Sequence, residues 1–250
     1  MNKSYDFIVV GAGSAGCIMA SRLSEDTDTD VLLLEAGEPD DKPEIKSPKA
    51  WGALLKTGVD WDYNTVPQEE LNGRSEYHAR GKVIGGTSSL NGMIYKRGHP
   101  WDWDHWEELG NDGWGYDEML PFFKKAEHYE DGESTYHGTG GPLNIIRQEV
   151  TTDISRAKLE AAWEVGFPEN EDFNAGDMEG AGRNQANMKD GQRHSTADAY
   201  LRPALDRDNL SVETSARVTT LRFDGDRVVG LEFEQGGQRR KRSEDTVVDG

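Results

Sequence analysis

The sequence predicts an α/β fold built on a parallel β-sheet, with a small antiparallel β-meander and part of a second, α+β domain. The apolar runs Phe7–Val10 and Val31–Leu34 have the composition of strands that are buried on both faces of a parallel sheet. After Asn209 the apolar residues recur at every second position, which is typical of antiparallel strands. Residues 99–194 carry mostly helical patterns, which indicates a separate domain.

A glycine motif of the form G-x-G-x-x-G follows the first strand and opens a helix. Gly11 permits a tight turn, Gly13 lets the backbone approach a pyrophosphate, and Gly16 lets helix and strand pack closely. The helix N-terminus offers N–H groups and a positive dipole end to phosphates. We therefore predict a Rossmann-like dinucleotide site that includes Gly11, Gly13, Ser14, Ala15 and Gly16. A glycine turn in an unrelated α/β domain is the alternative.

Glu35 closes the second predicted strand. An acidic side chain at this position of a dinucleotide-binding unit accepts hydrogen bonds from ribose hydroxyls. Because both strands and this acid accompany the glycines, the motif is much more specific than the glycine spacing alone.

The charge of the chain is strongly acidic, with 47 Asp and Glu against 28 Lys and Arg and a net charge of -19 over 250 residues. Such a field repels nucleic acids and anionic membrane surfaces, which are therefore excluded as partners. The acids are scattered along the chain, so we expect a solvated acidic surface. Our hypothesis is a salt-adapted, halophilic protein, and an ordinary acidic mesophile protein is the alternative.

Cys17 is the single cysteine, so an internal disulfide is excluded and a reducing compartment is favoured. Its position just inside the first helix fits a buried packing residue better than a reactive thiol. We find neither a secretory signal nor an apolar run long enough to span a membrane. The expectation is a soluble, cytoplasmic protein.

A second glycine-rich stretch spans Arg80–Gly98. Four glycines and three hydroxyl residues within twelve positions are unsuited to the interior of a helix or strand. They suit a loop that presses its backbone against a flat ligand, and Arg80 and Lys82 can offset pyrophosphate charge. A plain connecting loop is the alternative when the stretch is considered alone.

This stretch carries a family resemblance. Residues 81–91, GKVIGGTSSLN, resemble the first signature of the glucose–methanol–choline (GMC) oxidoreductases, and the likeness is closest to the choline dehydrogenase branch. The glycine motif with Leu34–Gly37 also fits the family, as do Trp61-Asp-Tyr and the segments 111–121 and 193–210. The resemblance thus covers almost the whole chain.

The resemblance implies bound FAD, two-electron oxidation of an alcohol with hydride transfer to the flavin, and later reoxidation of the flavin. It places the flavin along the second glycine stretch and the adenine beside Val218. The cofactor-binding residues that it adds are Ala36, Arg80, Gly81, Gly85, Gly86, Ser88, Asn91, Gly92, Met93 and Val218. Members that link FAD covalently carry a His at the position of Leu90, so we expect noncovalent FAD here.

The domain boundaries follow from the same assignment. We expect a discontinuous FAD-binding domain of residues 1–98 and 195–250, interrupted by a partial substrate or cap domain of residues 99–194. The predicted meander has strands Leu210–Thr214, Val218–Phe223 and Val228–Phe233, with a turn at Asp224–Asp226. A helix starting at Ser195 carries a capping-box pattern with Asp198. The basic run Arg239–Arg242 is interpreted as a solvated hairpin end, not a nucleic-acid patch.

The second domain is rich in aromatic side chains. Trp101, Trp103 and Trp106 suggest either an aromatic cage for a quaternary ammonium or core packing, and their helical spacing favours packing. The predicted buried stripe of the next helix is Met119, Leu120, Phe122 and Phe123. In the helix 153–165 the predicted buried face is Ile154, Ala157, Ala161 and Val165.

Alcohol oxidation needs a base, which in the resembling family is a His in the C-terminal part, beyond Gly250. We therefore assign no catalytic residue, and no H-x-x-H or C-x-x-C spacing suggests a metal. Each histidine of this chain is interpreted as a surface or structural residue: His78, His99, His105, His128, His137 and His194.

The chain is either the N-terminal portion of an FAD-dependent alcohol dehydrogenase or oxidase, or a catalytically inactive FAD-binding fragment. An NAD enzyme leaves the second glycine stretch unexplained. The alcohol, the electron acceptor and the oligomeric state are left open.

Overall fold

The computed structural model describes residues 4–149, 152–243 and 247–249. The α-helices are α1 Ser14–Leu23, α2 Pro43–Lys46, α3 Trp51–Leu54, α4 Pro100–Glu108, α5 Tyr116–Ala126 and α6 Asp153–Glu164. The strands are β1 Phe7–Val10, β2 Val31–Leu34, β3 Tyr63–Asn64, β4 Tyr77–His78, β5 Ile94–Tyr95, β6 Glu127–Tyr129, β7 Leu143–Arg147, β8 Gln185–Ala186, β9 Met188–Lys189, β10 Gln192–Arg193, β11 Leu210–Glu213, β12 Ala216–Asp224, β13 Arg227–Gln235, β14 Gln238–Ser243 and β15 Val247–Asp249. Short 3-10 turns and one π-helix complete the regular structure: Pro48–Ala50, Glu69–Leu71, Gly86–Ser89, Ala197–Leu201 (π) and Arg202–Ala204.

The chain divides into two compact units. Unit 1 comprises Met1–Gly92 and Gln192–Gly250, and unit 2 comprises Met93–Gly191. The sequence prediction set these breaks at 98/99 and 194/195. No helix within the described residues is both long and apolar enough to cross a bilayer.

Unit 1 is built on a four-stranded parallel sheet in the order β11-β2-β1-β15. All four residues of β2 are buried, because the strand has packed layers on both faces. Val31 and Leu33 pack with α1 and the π-helix, whereas Leu32 and Leu34 pack against β13 on the opposite face. The predicted α/β fold with its parallel sheet is thereby confirmed.

The meander differs from the prediction in its strand composition. Leu210–Glu213 pairs in parallel with β2, and the antiparallel sheet consists of β12, β13 and β14. Alternation of apolar residues reports a strand but not its partner, so the prediction joined β11 to the wrong sheet. The basic run that was interpreted as a hairpin end is the third strand of the meander. The turn at Asp224–Asp226 is confirmed between β12 and β13.

The predicted capping box forms at the start of the π-helix. The Asp198 carboxylate accepts the Ser195 N–H at 3.1 Å, and the Ser195 hydroxyl oxygen accepts the Asp198 N–H at 3.3 Å. The capping pattern therefore located the helix start to within one residue, since the N-cap position is Thr196, and the turn that follows has π rather than α geometry.

Unit 2 contains a small sheet in the order β5-β8-β7-β6, with helices α4, α5 and α6. The expected burial of its aromatic residues is only partly correct. Trp103 packs edge-on against Trp106 and Phe123, but Trp101, Trp106 and Phe122 are exposed. Trp101 and Trp103 are two residues apart and therefore about 200° apart around the helix, so they cannot share one covered face.

The buried face predicted for α6 is wrong. Ile154 and Val165 are 74% and 75% exposed, and Ala157 and Ala161 are exposed with them. The half-buried side of the helix carries Leu159, Ala162 and Trp163, and the Trp163 indole N–H donates to the Ala181 carbonyl at 3.0 Å. The larger apolar side chains lie on this second face and determine which side of the helix packs.

A buried charged cluster lies within unit 2. The His137 imidazole contacts the Glu127 carboxylate through Nδ1 at 2.9 Å and the Asp172 carboxylate through Nε2 at 2.8 Å. Glu127 also accepts from the Arg97 guanidinium at 2.7 Å and from the Gly138 N–H at 3.0 Å. Burial by itself lowers the pKa of His137, but the hydrogen bonds to both carboxylates outweigh it and raise this pKa to about 9.

We predict that this cluster makes the free energy of unfolding decrease as the pH becomes alkaline. The pKa of His137 is raised from 6.5 to about 9, so its contribution is complete below pH 6.5 and is lost as the pH rises through about 9. We expect the free energy of unfolding to fall by on the order of 2–3 kcal/mol over this interval. Urea unfolding followed by tryptophan fluorescence at several pH values measures it.

The matched variants are His137→Asn, which should flatten the pH dependence, and His78→Asn, an exposed histidine whose replacement should leave it unchanged. An equal loss of stability between pH 6.5 and 9.5 in wild type and His137→Asn would contradict the prediction.

Candidate dinucleotide site

The first glycine loop joins β1 to α1. Gly11 has a φ of 93°, which favours glycine, and its N–H donates to the Leu34 carbonyl at 2.7 Å. A Cβ on Gly16 would lie 1.9 Å from the Gly11 carbonyl oxygen, whereas a Cβ on Gly13 would meet no protein atom within 4 Å. Gly16 is thus required by packing, and Gly13 leaves open space in front of the loop.

The N-terminus of α1 faces this open space with Ser14 and Ala15, both exposed. The N-cap residue is Gly13, and no side chain caps the helix. The first N–H groups of a helix have no partner within the helix, so they are available to an anionic ligand.

Glu35 connects the loop to the end of β2. One carboxylate oxygen accepts the Ala12 N–H at 2.8 Å, and the other accepts the Gly37 N–H at 2.7 Å. Burial raises the pKa of Glu35, and these backbone donors oppose that rise. A carboxylate has about four acceptor positions, so both oxygens can still accept ligand hydroxyls.

A cavity of about 330 Å³ opens beside Glu35. Its walls come from the carboxyl ends of β1 and β2, from β12 and from the segment that follows α3. The lining residues are Val10, Gly11, Leu34, Glu35, Ala36, Trp61, Tyr63, Ala216, Arg217 and Val218. Predicted residues Gly11, Glu35, Ala36 and Val218 are therefore brought together.

Two aromatic rings that the site prediction did not include form one wall. Trp61 and Tyr63 stack at 5.6 Å with an interplanar angle of 10°. The Lys82 ammonium lies 4.9 Å from the Trp61 ring centre, and the Arg217 guanidinium lies 5.8 Å from it. The signal in the sequence was the pair of aromatic residues in Trp61-Asp-Tyr63. Because Asp62 has a φ of 50°, the two rings stack across a left-handed residue and not along an extended strand.

The second glycine loop packs directly on the first. The Gly85 N–H donates to the Ala12 carbonyl at 2.7 Å, and a Cβ on Gly86 would lie 2.7 Å from the Gly13 Cα. A Cβ on Gly81 would lie 2.1 Å from the Gly86 carbonyl carbon, so this loop needs glycine at several close approaches. The Ser88 hydroxyl donates to the Gly85 carbonyl at 2.6 Å and holds the turn.

Arg193 anchors the end of this loop, a role that the sequence analysis missed. Its side chain is buried, donating to the Ile45 carbonyl at 2.8 Å, the Ser88 carbonyl at 3.0 Å and the Asn91 side-chain oxygen at 2.9 Å. Burial lowers the pKa of Arg193 to about 10. Nothing in the local sequence distinguishes this arginine from a surface one.

Other predicted site residues do not line this cavity. Arg80 is exposed and its guanidinium donates to the Ala79 carbonyl, and Asn91 is exposed at the loop end beside half-buried Gly92. Met93 belongs to unit 2, where its carbonyl accepts the Asn187 N–H. Leu90 is fully buried in an apolar cluster.

The Cys17 thiol and the side chains that could bind a metal are the remaining candidates for chemistry. Burial raises the pKa of the Cys17 thiol to about 12, as expected of a packing residue. Among the residues that the structure describes, no group of three or more His, Cys, Asp or Glu side chains is arranged to hold a metal ion.

Comparison with known proteins identifies the family. The profile described as GMC oxidoreductase matches residues 5–248. An oxygen-dependent choline dehydrogenase of Rhizobium etli is 43% identical over 235 residues, which are 93% of this chain and 42% of that protein. A mitochondrial choline dehydrogenase of Mus musculus is 43% identical over 245 residues, which are 95% of this chain and 41% of that protein. This chain thus spans about two fifths of the length of these relatives.

Solved structures give the same result. The pyridoxine 4-oxidase of Mesorbium loti superposes with a TM-score of 0.94 at 41% identity, covering 98% of this chain and 49% of that one. An FAD-dependent oxidoreductase of Chaetomium thermophilum superposes with a TM-score of 0.90 at 28% identity, covering 99% of this chain and 45% of that one. The resemblance deduced from the glycine loops is confirmed, and the chain belongs to the GMC oxidoreductase family, whose N-terminal domain it matches.

Proposed function

We propose that this chain binds FAD in unit 1 and contributes the cofactor-binding part of an oxidoreductase that oxidises an alcohol by hydride transfer to the flavin. FAD is the cofactor of the family, and the matched N-terminal domain is the part that binds it. The observation that carries the proposal is the contact of two glycine loops beside Glu35 and the cavity of about 330 Å³.

The residues present fit the proposed cofactor. Glu35 would hold the adenosine ribose, the Gly11–Gly16 loop and the N-terminus of α1 would hold the pyrophosphate, and the cavity beside Val218 would take the adenine. The second glycine loop, residues 80–92 of unit 1, would contact the flavin end. When bound, FAD supplies the two-electron acceptor of the reaction, and these residues hold and orient it.

The proposal includes noncovalent attachment. Leu90 stands where covalently linked members carry a histidine, and its buried alkyl side chain has no nucleophilic atom. The support is therefore chemical: the side chain at this position cannot form the bond.

The proposed substrate is a small alcohol of the choline type. Two of the relatives described above are choline dehydrogenases at 43% identity, and a solved neighbour is a pyridoxine oxidase. We assign no base to this chain: among the residues that the structure describes, the buried histidine is His137, and it is engaged by two carboxylates.

We predict that substitution of Gly13 weakens cofactor binding, whereas substitution of Gly16 destabilises the fold. Gly13→Ala should fold and melt within a few degrees of wild type, since its Cβ would meet no protein atom within 4 Å, yet bind FAD about tenfold more weakly. Gly16→Ala should lose on the order of 3 kcal/mol of stability, because its Cβ would lie 1.9 Å from a backbone oxygen. Thermal melting and FAD titration measure both. Unchanged FAD affinity in a folded Gly13→Ala variant would contradict the assignment.

We predict that the chain reconstituted with FAD shows visible flavin absorption that acid precipitation releases completely into the supernatant. Anaerobic choline should leave the spectrum unchanged, because no residue here is assigned as the base. Dithionite, which reduces flavins directly, is the control and should bleach the bands. Flavin retained by the precipitate would refute noncovalent binding, and bleaching by choline would show that a base is present.

We also propose that the protein is halophilic and works in a salt-rich cytoplasm. The net charge of -19 and exposed acids such as Glu25, Asp26 and Asp28 support a surface that needs screening. The single, buried cysteine fits a reducing compartment.

Added salt should therefore stabilise the chain. Because the Debye length falls from about 10 Å at 0.1 M to about 3 Å at 1 M salt, we expect the melting temperature to rise by roughly 5–10 °C as KCl increases to the molar range. Sucrose at matched osmolarity controls for general exclusion effects and should give a smaller rise. Full stability in dilute buffer would rule out salt adaptation.

A further inference from the structure

The aromatic wall of the cavity lies on a segment with little regular structure. Residues 56–80, which we name the wall segment, contain only the two-residue strands β3 and β4 and one short 3-10 turn. Lys56 and Asp62 have φ values of 56° and 50°, in the left-handed region. Tyr63 is held by its pairing with β4, but Trp61 lies outside both strands, so regular structure does not explain how its ring is held in place.

One buried carboxylate organises this segment. Asp60 Oδ2 accepts the Lys56 N–H at 2.8 Å and the Tyr77 hydroxyl, and Oδ1 accepts the Asp62 and Arg80 N–H groups, each at 3.1 Å. The bond to Asp62 stabilises the left-handed residue that directs the chain from one aromatic ring to the next. Burial raises the pKa of Asp60, but the four donors outweigh it and the pKa is lowered, so the carboxylate stays ionised.

The same carboxylate fixes the start of the second glycine loop. The Trp61 N–H donates to the Arg80 carbonyl at 2.9 Å, and the Lys82 N–H donates to the Val59 carbonyl at 2.8 Å. The Lys82 ammonium then lies over the Trp61 ring at 4.9 Å. The residues on either side of Asp60 are thus paired with the residues that lead into Gly81 and the loop beyond.

We propose that Asp60 is a positioning residue for the dinucleotide site, which it serves by holding Trp61 against the cavity while it ties the wall segment to the second glycine loop. This inference rests on the proposed function, since it concerns the same cofactor site. Asp60 itself does not line the cavity; it acts through Trp61. Four charge-assisted or hydroxyl hydrogen bonds to one carboxylate make this arrangement sensitive to a single substitution.

The test is a double-mutant cycle on the full chain. ADP carries the adenine end without the flavin, so its equilibrium affinity reports on the cavity. We expect Asp60→Asn and Trp61→Ala each to weaken ADP binding by about tenfold, and the double variant to be no weaker than Trp61→Ala alone. Loss of general stability would instead weaken binding in both backgrounds, so the cycle separates positioning from a merely structural role.

Two further variants make the test robust. Tyr77→Phe removes one of the four donors and should weaken ADP binding about threefold, and not at all in the Trp61→Ala background, even where Asp60→Asn does not fold. Asp62→Asn is the matched control, because it makes the same acid-to-amide change at an exposed neighbouring position, and asparagine tolerates the positive φ there. This variant should bind ADP like wild type.

Wild-type affinity for ADP in a folded Asp60→Asn variant would overturn the inference, as would losses in Asp60→Asn and Trp61→Ala that simply add. A wild-type chain that binds neither FAD nor ADP would refute the proposed function itself. If instead the wild type binds both and Asp60→Asn does not change the affinity, only the inference about Asp60 is refuted.

Discussion

The buried carboxylate of Glu35 is the interaction on which unit 1 depends. Its side chain accepts the N–H groups of Ala12 and Gly37, while its backbone donates to the Glu213 carbonyl and accepts from Ala216. One residue therefore joins the glycine loop, the end of β2, β11 and the start of β12. Because a buried carboxylate without donors is costly, the glycine loop and the residues after β2 must keep their place, while β11 and β12 are held by the Glu35 backbone.

Close backbone contacts connect the region around Glu35 with the two glycine loops. The first glycine loop contacts itself at Gly16 and contacts the second loop at Gly86, and in both places a Cβ would overlap another backbone atom. Gly13 is different, because its missing Cβ leaves space that the protein does not fill. Gly16 and Gly86 thus serve packing, whereas Gly13 leaves open space, as expected where the backbone of a dinucleotide-binding loop approaches its ligand.

Side-chain networks hold the parts of the molecule that lack regular structure. Asp60 accepts from four donors around the wall segment, and Arg193 joins the second glycine loop, through two acceptors, to the Ile45 carbonyl of α2. In unit 2, His137 lies between two carboxylates, one of which belongs to Glu127 at the start of β6. In each case a buried charge is stabilised by several directional partners, so local irregularity is compatible with a defined structure.

The sequence by itself determined the α/β class, the order of β1, α1 and β2, the glycine positions and the family, because these follow from local period and spacing. Only the tertiary structure decided that β11 joins the parallel sheet, that α6 packs through half-buried Trp163 rather than Ile154, and that Arg193 is buried against the second glycine loop. The physical reason is common to all three. Strand partners, the covered face of a helix and the burial of an arginine depend on contacts with residues far away in the chain. A local sequence pattern does not encode these contacts.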